Sequence, residues 1–494
     1  MKLPFFKKKP QPEAEKPAMI KQQVIPKGVS SRVRSKEEIY KEARLPTEEH
    51  NPRIVLNDEV SAFLRRHNAA PEQIDRMELT LKFHAAMEAG LRGEKGGLAM
   101  LPTYLIGEES SVPNNEPVAV LDAGGTHLRA AQVHWDCGMA MVEQLEVLPM
   151  PGSQEPVTWA KFIKACADAL EPRLEGTKRV GVCFCYPAEA TAEGDLKVLT
   201  IDKEVQITGS KGKLVCASLR KELEKRGHEG LHFTAMNDTA ATLIRGRTSV
   251  PPRYGSGFAG MVLGTGVNTA AALPVERIEK LGLAADGTKM IVNMESGFFS
   301  DVPQSDFEKA VDAATDAPGT SLFEKMTAGK YLGELCRLAL KTAAQEGLFQ
   351  DETTAKRLKA LRKLDTALAD KFVTNPDFRE LKAMADAPEA DLTTAQHIIL
   401  GVFRRAANVS VSCAAAVAKL TGLGLEDRFK PIIICVDGSV YNKSYYMHEA
   451  ITDGMQDFTV QELEIYSVCK GVEQATLIGT AAAALTEPLK TVSE

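Results

Sequence analysis

Three short stretches of this sequence carry residue types suited to work on a phosphate. Asp122-Ala-Gly-Gly-Thr126, with Arg129 three residues on, follows the apolar run Val118–Leu121. Its two glycines let backbone N–H groups approach phosphate oxygens with no Cβ in the way. The aspartate at the strand end can hold Mg²⁺, directly or through water. Val262-Leu-Gly-Thr-Gly-Val-Asn268 offers N–H groups and a hydroxyl in the same manner. Met236-Asn-Asp238-Thr ends another apolar run with a carboxylate, placed to accept the proton of a hydroxyl attacking phosphorus. Each stretch also has a plain structural reading. The glycine turns can be tight hairpins, and Asn237 and Asp238 can simply cap a helix over 240–244. The sequence has no GxxxxGK[ST] loop, HExxH, GxSxG or strand-linked GxGxxG.

Such chemistry requires the three stretches to sit on the ends of rigid strands that converge. The hydrophobic pattern supplies those strands. An apolar run, a glycine turn and a second apolar run occur at 118–133 and again at 257–273, which suggests a duplicated unit. Further buried strands are expected at 180–185, 233–236 and 431–436. Helices are expected at 162–174, 213–224, 304–313, 322–344, 474–485 and in a set spanning 353–419. Before the first hairpin, Val60, Phe63 and Leu64, then Ile74, Met77, Leu81 and Phe83, have helical spacing; Pro71 and Glu72 read as the first turn of the second helix. Strands and helices mixed in this order mean α/β. The expected divisions are a disordered basic tail over 1–50, an N-terminal helical segment over 51–115 packing on the larger lobe, a small lobe over 116–236, and a large lobe over 237–494 whose final helix is free to return to the small one.

The bulk properties agree with a large enzyme. The chain has 494 residues, 44 % hydrophobic and 26 % charged, with a net charge of −6. That balance argues against a nucleic-acid partner, which would need a strongly basic face. The nine cysteines form no recurring CxxC pair and no zinc spacing, which reads as reduced thiols in a cytoplasmic protein. No apolar run of about 18 residues is present, so no transmembrane segment is expected. The opening MKLPFFKKKP has too short an apolar patch for a signal peptide.

Taken together the motifs resemble the eukaryotic-type hexokinase family, within the actin-like sugar kinases, from about residue 55 to 485. The resemblance rests on Met87-Glu-Ala-Gly-Leu91, Leu98–Thr103, Leu121–Arg129, Asn237-Asp-Thr239, Leu263–Asn268, Val292-Asn-Met-Glu295, Leu322–Met326 with Tyr331–Glu334, and Val436–Tyr441, all in the family's order. It implies two actin-like (ribonuclease H-like) lobes with a cleft between them, and ATP-dependent phosphorylation of a hexose with Mg²⁺. On the matching positions, Asp238 would be the base. Asn237, Asn268, Glu295 and Glu324 would bind sugar hydroxyls, joined by Lys203, which would also offset phosphoryl charge. Asp122, Gly124, Gly125, Thr126 and Arg129 would serve the phosphates and Mg²⁺, with Asp122 the metal residue. Gly264, Thr265 and Gly266 would hold phosphates from the other lobe, and Gly438, Ser439 and Gly471 would flank the adenosine. Sugar binding would close the lobes and exclude water.

The chain departs from the family pattern at Cys185, where a serine is lost; at Asp202, which adds a carboxylate beside Lys203; at Ser296, which replaces a tryptophan; and at Val472–Ala475. These departures keep a second reading in play, a catalytically weak sugar-binding regulator or sensor. The oligomeric state is left open, with a homodimer among the options.

Overall fold

The computed structural model describes residues 55–107, 111–201, 205–375 and 380–485. The tail over 1–50 and the pair Asp202 and Lys203 lie outside these residues.

The strands are β1 (Leu101–Ile106), β2 (Val118–Ala123), β3 (His127–Asp136), β4 (Met139–Pro149), β5 (Val157–Thr158), β6 (Arg179–Phe184), β7 (Ala188–Ala190), β8 (Leu196–Val198), β9 (Ile207–Thr208), β10 (His232–Met236), β11 (Gly257–Leu263), β12 (Val267–Pro274), β13 (Lys289–Asn293), β14 (Ile432–Asp437) and β15 (Ser467–Gly471). Eleven of them build a five-stranded sheet in the order β10-β6-β2-β3-β4 and a six-stranded sheet in the order β1-β13-β12-β11-β14-β15, while β5 pairs with β9 and β7 with β8. The duplication seen in the sequence recurs as topology. In the smaller sheet β2 pairs antiparallel with β3 and parallel with β6, and β6 is parallel to β10. In the larger one β11 pairs antiparallel with β12 and parallel with β14, and β14 is parallel to β15. All of β2 is buried, and nearly all of β11 and β14. Strands covered on both faces read as unbroken apolar runs, which is why they stood out in the sequence.

Each sheet has its own core. The smaller packs Ala119, Leu121, Val180 and Val182 against Phe162 and Ile163 of the helix Trp159–Leu170 and Leu219 of the helix Val215–Glu224. The larger packs β11 and β12 against the long helix Glu389–Thr421, which in turn packs against the N-terminal helices Asp58–Arg66 and Arg76–Leu91 in the same core. Thr80 donates to the carbonyl of Ser412 (3.2 Å), and the buried Arg405 pairs with Glu308 (2.9 Å), a tie between that long helix and the helix Asp306–Ala313. Among the described residues, Glu389–Thr421 is the one helix long and apolar enough to cross a membrane, but 89 % of its apolar window lies inside the molecule, as a central core helix should.

Two helices join the lobes. Asp238–Ser249 lies on the larger sheet, where Gly260 comes so close that an added Cβ would sit 2.5 Å from the carbonyl of Thr239. The final helix Ala475–Ala484 lies on the smaller sheet, where Gly181 would meet Thr480 at 2.7 Å. They cross at Gly479, whose Cβ would fall 1.9 Å from the carbonyl of Ala241. Glycine and alanine at these points let backbones approach that larger side chains would hold apart.

Two helical expectations are corrected. Pro71–Gln73 is a separate 3₁₀ turn, and the next helix starts at Arg76 because Asp75 accepts from the N–H of Glu78 and caps it. The expected helix 322–344 is two helices, Leu322–Thr327 and Gly329–Gln345, broken at an extended Ala328. The break frees the N–H of Gly329 to donate to the carbonyl of Gly264 (2.8 Å), which anchors the large-lobe glycine turn.

Candidate active site

The ends of β2, β10, β11 and β14 converge on a cleft of about 1050 Å³. Asp122, Gly124, Gly125, Thr126, Arg129, Asn237, Asp238, Gly264, Thr265, Gly266, Asn268, Glu295, Glu324, Gly438 and Ser439 all line it. Gly471 does not. It closes β15, where its Cα side faces Asn442 and Tyr441. Asp202 and Lys203 fall outside the described residues, although Val205 just after them is in the lining.

The small-lobe side is organised by a buried carboxylate. Asp122 is wholly buried at the end of β2, and Arg129, opposite it in the β2–β3 register, donates Nε–H to its Oδ2 (2.8 Å). Thr476, at the start of the final helix, donates to the same oxygen (2.9 Å) and accepts from Arg129 Nη2 (2.8 Å). The turn itself is closed by the N–H of Gly124 donating to the carbonyl of His127 (3.0 Å), and Tyr186 donates to the carbonyl of Gly124 (2.9 Å). Arg129 is thus first a partner of Asp122, with a third of its side chain still exposed towards the cleft.

Asn237 and Asp238 divide the two readings of their motif between them. The Asn237 side chain accepts from the N–H of Ala240 (3.0 Å) and caps the helix Asp238–Ser249. Asp238 opens that helix with its carboxylate in the cleft, accepting from the Thr239 hydroxyl at 3.2 Å. Burial, reinforced by the charges of Asp122 and Asp437, pushes its carboxyl up to about 6, although the Thr239 hydrogen bonds pull the other way. A carboxylate tuned to that range is still mostly ionised at neutral pH and is a far better base than an exposed one.

On the large-lobe side a relay of amides sets the acceptors. Asn268 donates from Nδ2 to Asn293 Oδ1 (2.7 Å), and Asn293 donates from Nδ2 to Glu295 (2.8 Å). The Asn268 Oδ1 is occupied by the N–H groups of Thr269 (2.7 Å) and Ser296 (3.2 Å). Glu295 itself sits in the left-handed region (φ 54°), a strained backbone for a non-glycine residue and one often found at functional positions. Glu324 accepts from the N–H of Val267 (3.3 Å). Hydroxyl-bearing ligands suit such a pre-set group of carboxylates and amides, because each buried group left unpaired would cost about 1–3 kcal/mol.

Some site residues went unread in the sequence. Asp437 ends β14 in the lining, its carboxylate accepting from the N–H of Gly438 (2.7 Å) and from Asn442 Nδ2 (3.0 Å). Its signal was an acid at the end of an apolar run, the same signal that marked Asp122. Asn293 positions Glu295 from within β13. Thr476 offered no local signal.

A divalent cation fits this donor set. Burial raises the carboxyls of both Asp238 and Asp437, and the charge of Asp122 adds to it, at Asp437 against the opposing charge of Arg129, so three carboxyl groups share this end of the cleft. Hard oxygen donors of that kind are what Mg²⁺ takes. The neighbouring Cys183 and Cys185 are soft donors held protonated, Cys183 at about 11 by burial and Cys185 well above the usual range by its thiol neighbour and burial.

Fold and site together define a two-lobed α/β protein of the actin-like kind, in which each lobe contributes a glycine turn to one shared cleft. Comparison with known proteins makes the class specific. Two family models, both described as hexokinase, match residues 59–248 and 258–486. Hexokinase-1 of Saccharomyces cerevisiae is 30 % identical over 403 residues, 75 % of this chain and 80 % of that one. Hexokinase-2 of Oryza sativa subsp. japonica is 27 % identical over 430 residues, covering 80 % and 84 %. The hexokinase from Schistosoma mansoni complexed with glucose shares the fold with a TM-score of 0.70 at 22 % identity, over 87 % of this chain and 98 % of that one. The chain belongs to the hexokinase family, and it is a kinase of sugars.

Proposed function

We propose that this protein transfers the γ-phosphoryl group of ATP to the 6-hydroxyl of a hexose, glucose first among the candidates, and so feeds glycolysis. The observation that carries the reading is the Asp238 carboxylate, raised to about 6, in one cleft with both glycine turns and the Asn268–Asn293–Glu295 relay. Glucose is favoured because the structurally similar Schistosoma mansoni protein is described in complex with it.

In this reading Glu295, Glu324, Asn268 and the amide of Asn237 orient the sugar. Asp238 accepts the proton of the attacking hydroxyl as its oxygen bonds to the γ-phosphorus and the bond to the ADP oxygen breaks. The backbone N–H groups of Gly125 and Thr126 and of Thr265 and Gly266 donate to phosphate oxygens, those of Gly124 and Gly264 being spent in closing the turns, and Arg129 adds positive charge while keeping Asp122 in place. Asp122 and Asp437 would hold Mg²⁺, which supplies charge neutralisation across the phosphates. Gly438 and Ser439 would border the adenosine. The nine unpaired thiols suit a reducing compartment, and we assign the activity to the cytoplasm.

The test is hexose-dependent ADP production with Mg²⁺-ATP over glucose, fructose, mannose, galactose and N-acetylglucosamine, in the wild type and in Asp238→Ala. Turnover with at least one hexose, lost in the variant while hexose still raises its Tm, is the expected result. Stabilisation of the wild type by hexose without any turnover would instead establish the sensor reading.

A further inference from the structure

Outside the groups used above, the strongest unexplained cluster is the pair of thiols on β6 and its continuation. Cys183 lies opposite Asp122 in the parallel β2–β6 register, and Cys185, two residues on, projects to the same face of the strand by the period-two rule. The three side chains therefore meet. Cys183 Sγ and Cys185 Sγ are 3.9 Å apart, Cys185 Sγ lies 3.7 Å from Asp122 Oδ1, and all three ligand atoms fall within 4.8 Å of one another. Arg129 and Thr476 hold Asp122 by Oδ2, which turns Oδ1 towards the thiols.

We infer that Cys183, Cys185 and Asp122 form a preorganised site for a thiophilic divalent cation of the Zn²⁺ class, whose occupation blocks the cleft. Around a tetrahedral Zn²⁺ with ordinary bond lengths, two thiolate sulfurs stand about 3.8 Å apart, and a sulfur and a carboxylate oxygen about 3.5 Å apart. The Cys183–Cys185 and Cys185–Asp122 distances need only a few tenths of an ångström of adjustment, and Cys183 and Asp122, within 4.8 Å, need at most a side-chain shift of about 1 Å. Coordination displaces one proton from each thiol to solvent. Two thiolates and a carboxylate then face the ion and the Arg129 guanidinium, three negative charges against three positive. Cys185 lines the cleft, so the ion enters from there and a water or phosphate oxygen can complete the fourth position. The hard–soft difference separates this ion from Mg²⁺, which avoids sulfur. By recruiting Asp122 the soft ion removes a carboxylate from the phosphate side of the cleft and places charge beside Asp238.

The experiment uses the full chain in a phosphine reductant and first reads binding without turnover, an arm that stands apart from the kinase reading, before it reads inhibition. Cd²⁺ titration of the wild type is expected to raise a thiolate-to-metal charge-transfer absorption that saturates at one ion per chain. Cys183→Ala, which changes a buried strand residue outside the cleft lining, should lose that absorption while keeping hexose phosphorylation. It should also need at least about tenfold more Zn²⁺ for the same inhibition. Cys137→Ser, at the exposed thiol, should behave as wild type. No absorption in the wild type overturns the site whether or not the variant folds. So does equal Zn²⁺ sensitivity in Cys183→Ala, or loss of the effect in Cys137→Ser.

Discussion

The small-lobe turn Gly124-Gly125-Thr126 and the large-lobe turn Gly264-Thr265-Gly266 face the same cleft, yet a methyl group added to each would meet different surroundings. At Gly125 it would meet nothing within 4 Å, and at Gly124 only the carbonyl of His127 at 3.2 Å. At Gly266 it would lie 2.8 Å from Glu324 Oε2, and at Gly264 3.3 Å from the Cα of Gly438. Gly438 is tighter still, in the left-handed region (φ 115°), with an added Cβ 2.4 Å from the Leu263 carbonyl carbon. The small-lobe turn is held from below, by the buried Asp122–Arg129–Thr476 cluster, and its glycines keep the approach clear for a ligand. The large-lobe turn is held from the sides by backbone, and its glycines are also demanded by the protein itself. Two similar motifs thus serve one site under different constraints, and substitutions should separate them.

The largest effect should come from the residue that stands between the turns. Asp238→Ala is expected to lower kcat by about 10³-fold, within the usual range for a positioned general base, with little change in Tm. A loss below tenfold in the coupled assay would remove Asp238 from the chemistry. With its pKa raised to about 6 and the ionised form the one proposed to act as base, kcat/KM should be level above that pH and fall about tenfold per unit below it. A profile unchanged down to pH 5 would contradict the assignment.

Next in size is Gly438→Ala, where positive φ and overlap with Leu263 act together. We expect about 2–4 kcal/mol of lost stability, read as a shifted denaturant midpoint at constant m. Gly125→Ala should do the reverse, leaving the midpoint unmoved while cutting kcat/KM for ATP by about 10²-fold, because it displaces phosphate from the turn. If Gly125→Ala unfolds the protein instead, the contrast between the turns fails. The smallest change is expected from Gly266→Ala. It pushes the Glu324 carboxylate, a flexible end that can yield, so the KM for hexose should rise about tenfold and the KM for ATP should stay within a factor of two or so.

Much of this was legible in the chain. The strand–turn–strand repeats, the carboxylates closing their strands and the cap at Asn237 all depend on neighbours a few residues away. The Ala328 break was missed because its cause is distant: the N–H of Gly329 leaves the helix to meet Gly264. Thr476 was missed for the same reason, since it reaches Asp122 across 354 residues and nothing around it in sequence marks it.

Apolar runs, glycine turns and capping side chains determined where the elements lie, because sterics and backbone hydrogen bonding act between near neighbours. The tertiary structure alone decided that Asp238 faces the cleft with its carboxyl raised, that Arg129 is committed to Asp122, and that two thiols from one strand meet a carboxylate from the next. Desolvation and Coulomb interaction depend on what surrounds a group in space, and those surroundings are drawn from elements hundreds of residues apart.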